Sequence, residues 1–220
     1  MSRLTWDDAG KKKFETGISN VALYVDTGFA LWQGFAWNGV ISVTESPSGA
    51  ETNNLFADDM KYGVIRSTEN FGFTIEAYTY PSQFEQCDGK IEIVSGAYIC
   101  NQPRKMFGLA YKTKIGDDEH PGIDKGYLLH LIYNATANPS EKQFQTINDN
   151  PDAITYSWEC TTFARNGTYE TSTHQITKYD VSHIIIDSTK ANATKLRNVE
   201  SNLFGGVNIG SKLLTPAQQI

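Results

Sequence analysis

The chain runs to 220 residues, with 40% hydrophobic and 20% charged side chains and a formal charge of −6 at pH 7. A chain of this length can bury roughly 70% of its unfolded surface, so it can fold without disulfide or metal staples, as one all-β domain or as two smaller units. The composition lacks the clustered Lys and Arg of a phosphate-binding footprint, and no run approaches the ~20 apolar residues needed to span a bilayer.

Residues 1–17 are polar and charged and end at Gly17, an arm that either orders against a neighbour or is disordered. Its one basic run, Lys11-Lys12-Lys13, reads as solvated, and the lack of an apolar h-region argues against a secretory signal. Residues 21–26 are the first expected strand. Trp37-Asn38-Gly39-Val40 is a strong hairpin signal, because Asn-Gly supplies the positive φ angles of a type I′ turn between arms at 35–37 and 40–45. Residues 46–59 carry no periodicity, which marks a functional or mobile loop. Its flanks at 41–45 and 61–67 can both extend as strands, so the pair is expected to form one long hairpin projecting from the body.

Phe71, Phe73, Ile75, Ala77 and Thr79 alternate with Gly72, Thr74, Glu76 and Tyr78, the period of a strand with one buried face. Pro81 ends it, residues 82–87 make a short connector with helical character, and Asp88-Gly89 turns the chain. The alternation returns at residues 107–115, and again at 127–133, where both faces are apolar and double covering is expected. Between those strands, Asp117-Asp118-Glu119-His120, with Asp124 nearby, is too contiguous for the alternating ligands of a hard-cation loop and reads as a solvated turn. His130, flanked by Leu129 and Leu131, reads as a strand-face histidine and not as a ligand or base.

Ile154, Tyr156, Trp158 and Cys160 face one way and Thr155, Ser157, Glu159 and Thr161 the other, a strand whose polar face must meet water. Residues 163–178 are polar and Thr-rich, and 181–187 form a last apolar strand. Asp187-Ser188-Thr189 offers an N-cap, and Ala193, Leu196, Val199, Glu200 and Leu203 follow at helical spacing, stopped by Gly205-Gly206. Cys87, Cys100 and Cys160 are three and scattered, without CxxC spacing, which argues against a disulfide framework and a zinc site and for small strand or near-strand residues in a reducing cytosol.

Nothing in these patterns is arranged for chemistry, and they yield only a β-rich domain. The ordered words carry more. Phe71-Gly72-Phe73-Thr74-Ile75-Glu76-Ala77-Tyr78-Thr79-Tyr80-Pro81 is followed by Cys87-Asp88-Gly89 and by Gln102-Pro103-Arg104-Lys105-Met106-Phe107-Gly108-Leu109. Tyr111-Lys112-Thr113-Lys114-Ile115-Gly116, Gly126-Tyr127-Leu128-Leu129-His130-Leu131-Ile132-Tyr133, Asp152-Ala153-Ile154-Thr155-Tyr156-Ser157-Trp158-Glu159 and Ile186-Asp187-Ser188-Thr189-Lys190 come after them. In that order the series resembles the major tail, or tail tube, proteins of bacteriophages with long non-contractile tails, over roughly residues 15–204.

The resemblance implies a mainly β fold, a β-sandwich or partly rolled barrel with one packed C-terminal α-helix and a long projecting hairpin loop. It implies a tail tube domain at 18–204 between the arm at 1–17 and an extension at 205–220 that either docks on an adjacent subunit or stays loose. The implied function is structural: copies close into rings, of six by the family pattern, and rings stack into the conduit for DNA ejection. The projecting loop would touch the next ring, which makes Glu45, Ser46, Glu51, Asn53, Phe56 and Asp58 candidate contacts. Glu76 and Glu159, on polar strand faces, are candidates for the bore, whose acidic wall would let DNA slide through without sequence-specific binding. Implied partners are the chain itself, the tape measure protein, and the tail completion (terminator) and tip proteins, with assembly in the host cytoplasm and no membrane. No catalytic residue, cofactor or metal is expected. The alternative is a carbohydrate- or receptor-binding β-sandwich of a phage particle presenting Trp6, Trp32 and Tyr80, and an enzyme stands third, for want of a nucleophile, dyad or metal set.

Overall fold

Strands account for most of the described residues. The computed structural model describes residues 6, 10, 12–26, 31–119, 125–144, 146, 153–170, 176–204 and 209–210, with backbone alone at 31–33, 165–170, 176–180 and 209–210. In chain order the strands are β1 Lys13–Val25, β2 Leu31–Ala36, β3 Val40–Glu45, β4 Ser48–Gly49, β5 Thr52–Ala57, β6 Met60–Arg66, β7 Glu69–Asn70 and β8 Gly72–Ala77. A 3-10 turn at Ser82–Gln86 precedes β9 Ile91–Val94, β10 Ala97–Ile99, β11 Phe107–Asp117, β12 Gly126–Ala137, β13 Tyr156–Thr162, β14 Arg165–Glu170, β15 Ile176–Val181 and β16 His183–Asp187. Helix α1, Ala193–Phe204, and β17, Ile209–Gly210, close the order.

One antiparallel sheet runs β17-β2-β1-β11-β12-β13-β8-β3, and β16 pairs with residues 128–132 of β12. The expected hairpin at Asn38-Gly39 is not there. β2 pairs with β1 and β3 with β8, at opposite ends of the sheet, and residues 37–39 cross between them. Gly39 has φ +81° while Asn38 is not in the positive region, and a type I′ turn needs both. The reason is Trp37. Its backbone N–H donates to Val21 O (2.9 Å), its indole N–H donates to Thr79 O (2.8 Å), and its ring is buried against Phe84 and Trp158. The crossing brings the two ends of the sheet together, so the sheet curls around an interior.

That interior holds Leu23, Ile75, Phe73, Phe107, Leu109, Ile132 and Trp158, all at most 2% exposed. The residues between them point outward and meet α1: Tyr24, Ala110, Leu129, Leu131 and Tyr133 pack with Leu196, Val199 and Leu203. β12 is thus covered on both faces. The Tyr24 hydroxyl donates to the carbonyl of Leu203 (2.6 Å), and burial pushes its pKa up. The helix is capped by Asn192, whose Oδ1 accepts from the backbone N–H of Thr194 and Lys195 (3.0 and 3.3 Å). The sequence pointed to 187–189 instead. Asp187 is used earlier, in its own turn, where its Oδ1 accepts from the N–H and hydroxyl of Thr189.

Two further hairpins were not anticipated, β9–β10 and β14–β15. Part of the expected N-terminal arm, residues 13–17, is already β1, in register with β11. Of the extension at 205–220, only 209–210 are described, and they pair with β2.

Asp88 is a buried carboxylate with partners from four segments. The Trp158 indole N–H donates to Oδ1 (3.1 Å), Lys142 hydrogen-bonds Oδ2, and Lys90 and Arg104 each lie at 3.7 Å. Removing the anion leaves three cations facing each other beside an apolar core. Asp88→Ala is expected to cost about 3 kcal/mol, since truncating one partner of a buried charged group strands the others. Urea unfolding followed by tryptophan fluorescence checks this, and a loss under ~1 kcal/mol would show that the cluster is a surface feature.

Glu200 ties α1 to the sheet by accepting from Lys112 and from the Tyr127 hydroxyl (2.7 Å). Burial alone would raise its pKa, but the hydrogen bonds and charge of its partners outweigh that and hold it below the ordinary carboxylate value. A carboxyl depressed in the folded state adds stability above its unfolded pKa and loses it as pH falls through the folded one. Glu200→Gln should therefore reduce stability at neutral pH and flatten its fall below about pH 4.3, as read from thermal melts across pH.

Candidate assembly surfaces and a histidine cluster

The expected long hairpin exists, with different mates. β3 pairs with β8, β4 with β7 and β5 with β6, so one arm rises from the sheet edge to a tip at Asp58-Asp59. Residues 61–66 therefore face 52–57, not 41–45 as the sequence suggested. Most of the expected loop at 46–59 is ladder. Asp58 and Asp59 both have positive φ (52° and 58°), the type I′ pattern, in a residue type whose short polar side chain tolerates it.

The six candidate contact residues spread along this arm. Glu45 sits at its root opposite Phe73, and the Ser46 N–H donates to Gly72 O (2.7 Å). The Glu51 N–H donates to Ser67 Oγ (2.9 Å), Asn53 pairs with Ile65, Phe56 pairs with Lys61, and Asp58 is at the tip. Among its exposed residues the arm carries large apolar side chains: Phe56 is 73% exposed and Tyr62 77%, with Met60, Val64 and Ile65 also exposed. β9–β10 repeats the feature with Ile91, Ile93, Val94, Tyr98 and Ile99. Its signal was present as two apolar runs around Ser95-Gly96, where Gly96 takes φ +83°.

Glu76 and Glu159 lie on the polar face of β8 and β13. Glu76 is opposite Ser157 and Glu159 opposite Thr74, so the carboxylates are diagonal neighbours, with Ser42, Thr44 and Thr161 on the same face. The Ser42 hydroxyl donates to Glu76 (2.9 Å).

Tyr80, a candidate sugar platform, is packed edge-on against Trp158 (5.4 Å) and Phe84, and its hydroxyl accepts from Lys90. Trp6 is exposed, and the side chain of Trp32 lies outside the described residues. The acids after β11 part company: Asp117 is buried beside Lys125 (3.2 Å), while Asp118 accepts from the Gly10 N–H (3.1 Å). His120 and Asp124 lie outside the described residues. Cys87 and Cys160 are buried free thiols whose pKa values burial pushes up, to about 12 for Cys87, whereas Cys100 is exposed.

The fold brings together a group that spacing did not reveal. Glu45 of β3, His130 of β12 and His183 of β16 converge at one mouth of the interior. His130 Nδ1 lies 3.2 Å from His183 Nε2 and 3.5 Å from Glu45 Oε1, and His183 Nε2 lies 3.7 Å from the same oxygen. Tyr111 stacks on His130 (4.5 Å) and donates its hydroxyl to Glu45 Oε1 (2.8 Å), while Thr113 Oγ1 is 3.2 Å from His130 Nε2. His183 rests on Phe71 (4.7 Å). Burial lowers the pKa of both histidines despite the nearby carboxylate. His183 was missed because its partners come from strands far apart in sequence. No protein-family model matches the chain, and no curated protein matches it either.

Proposed function

We propose that the chain is a structural subunit of a tail tube of the long non-contractile phage type. In this reading copies close into rings, the rings stack, and DNA leaves through the bore. The observation that carries it is the exposed apolar surface on two projecting hairpins, with Phe56 and Tyr62 about three-quarters open to solvent. A monomer rarely leaves such surface uncovered, and covering it is what neighbouring copies would do. The ordered sequence words quoted above supply the family.

The fold supports the reading in three ways. A curled antiparallel sheet with one helix on its back is the kind of body the family would require. Among the described residues β3 pairs only with β8, which leaves a strand edge available for a neighbour, and closing a ring protects such edges. The face carrying Glu76, Glu159, Ser42, Thr44 and Thr74 is hydroxyl-rich and acidic, suited to lining a passage that DNA crosses without adhering. The arm of β4–β7 reaches the next ring, and the tape measure, tail completion and tip proteins meet the tube along its bore and at its ends.

The double substitution Phe56→Asp and Tyr62→Asp tests the reading, because both side chains are solvent-facing and neither belongs to the core. Concentrated wild-type protein is expected to form rings or tubes in negative-stain microscopy. The double variant is expected to stay dispersed while its unfolding free energy changes by no more than about 0.5 kcal/mol, as for ordinary surface positions. A wild type that stays monomeric at every concentration, or a variant that assembles equally well, would overturn the proposal.

A further inference from the structure

We infer that Glu45, His130 and His183 form a binding site for a divalent transition-metal ion of the zinc class. The inference is independent of the assembly reading, since it rests on the inner face of the curled sheet and not on the exposed hairpins.

The first argument is the triangle of donors. Zinc bonds imidazole nitrogen and carboxylate oxygen at about 2.0–2.2 Å in a tetrahedral arrangement, so two of its ligand atoms stand roughly 3.3–3.5 Å apart. The three edges here are 3.2, 3.5 and 3.7 Å. An ion above this triangle would meet all three ligands after shifts of a few tenths of an ångström, with a fourth position open.

The second argument is hydrogen-bond accounting. At 3.2 Å, one proton at most can lie between His130 Nδ1 and His183 Nε2. The two contacts to Glu45 Oε1, at 3.5 and 3.7 Å, are too long to be good hydrogen bonds. Glu45 Oε1 accepts from the Tyr111 hydroxyl and keeps a second lone pair, so the two nitrogens and that oxygen meet with one ring proton shared among them.

The third argument is the surrounding shell. A metal-ligating histidine commonly has its other ring nitrogen held by a hydrogen bond, which fixes the tautomer. Thr113 Oγ1 stands at His130 Nε2, so a proton there leaves Nδ1 free to bind. The Tyr111 hydroxyl anchors the carboxylate of Glu45, Tyr111 stacks face-on against the ring of His130, and Phe71 packs at a tilt against that of His183. The histidine side chains are 6% and 9% exposed and that of Glu45 36%, so the group is walled by protein and reachable from one side. Two imidazoles and one carboxylate favour zinc, cobalt or nickel over magnesium and calcium, which prefer oxygen. Such an ion would tie β3, the root of the arm, to β12 and β16.

The test uses untagged full-length protein, stripped with chelator and titrated at neutral pH with zinc chloride by calorimetry. Cobalt chloride is followed in parallel by visible absorption. One zinc per chain, the intense bands of low-coordinate cobalt, and no heat with magnesium chloride are expected. His130→Ala and His183→Ala should each weaken zinc binding by more than ~100-fold, and Glu45→Gln by at least ~10-fold, the scale on which even outer partners of a metal matter. Glu45→Gln retains an acceptor for Tyr111 at a partly exposed position, so it decides the matter if a histidine variant fails to fold. Absence of zinc binding, or unchanged affinity in Glu45→Gln and whichever histidine variants fold, would overturn the site. Neither result would touch the microscopy of the Phe56 and Tyr62 variant.

Discussion

The carboxylate of Asp88 is the constraint on which the rest of the fold depends. It is 4% exposed, next to Phe84, Cys87 and Trp158, where an unpaired charge would cost several kcal/mol. It can stay only if Lys90, Arg104 and Lys142 come to it, and each belongs to a different stretch of chain. Arg104 then donates on to the carbonyls of Ala137 and Asn138, which fixes the end of β12. The indole of Trp158 completes the set from β13. One anion therefore gathers the 3-10 turn, the approach to β11, the exit from β12 and the middle of β13, a set of contacts no local propensity would produce.

The aromatic core works on the same end of the molecule. Phe84 meets Trp37, Phe107 and Trp158 with centroids 4.6 to 5.4 Å apart, the tilted and edge-on geometries that aromatic rings prefer. Trp37 has to leave β2 and cross the mouth to join them, and that crossing rolls the sheet. The Asn38-Gly39 dipeptide was a sound local signal, outweighed by burial of a large ring. Tertiary packing decided the turn, not the turn residues.

The strands read from alternation, β8, β11, β12 and β13, are those with one face in this core or, for β12, both faces covered. The helix was legible for the same reason, because Leu196, Val199 and Leu203 repeat at its period. Where burial does not impose a period, the sequence is silent: β5 is exposed on both faces, and its residues Thr52 to Ala57 look like a loop. The candidate contact positions could be placed on a hairpin, but the strand register could not, since it is set by backbone ladders that any residue joins. The histidine cluster was illegible because it is long-range by construction, with one residue from each of three strands.

That cluster and the arm share a residue, and this links the two halves of the molecule. Glu45 is the last residue of β3, facing inward opposite Phe73, and the chain leaves the sheet for the arm immediately after it. Its carboxylate is held by Tyr111 on β11 and faces histidines on β12 and β16. A lever is only as stiff as its root, and the tip at Asp58-Asp59 is far from any core contact. Whatever the arm touches, its direction is set where Glu45 meets the sheet, so a ligand bound there would stiffen the arm without contacting its tip.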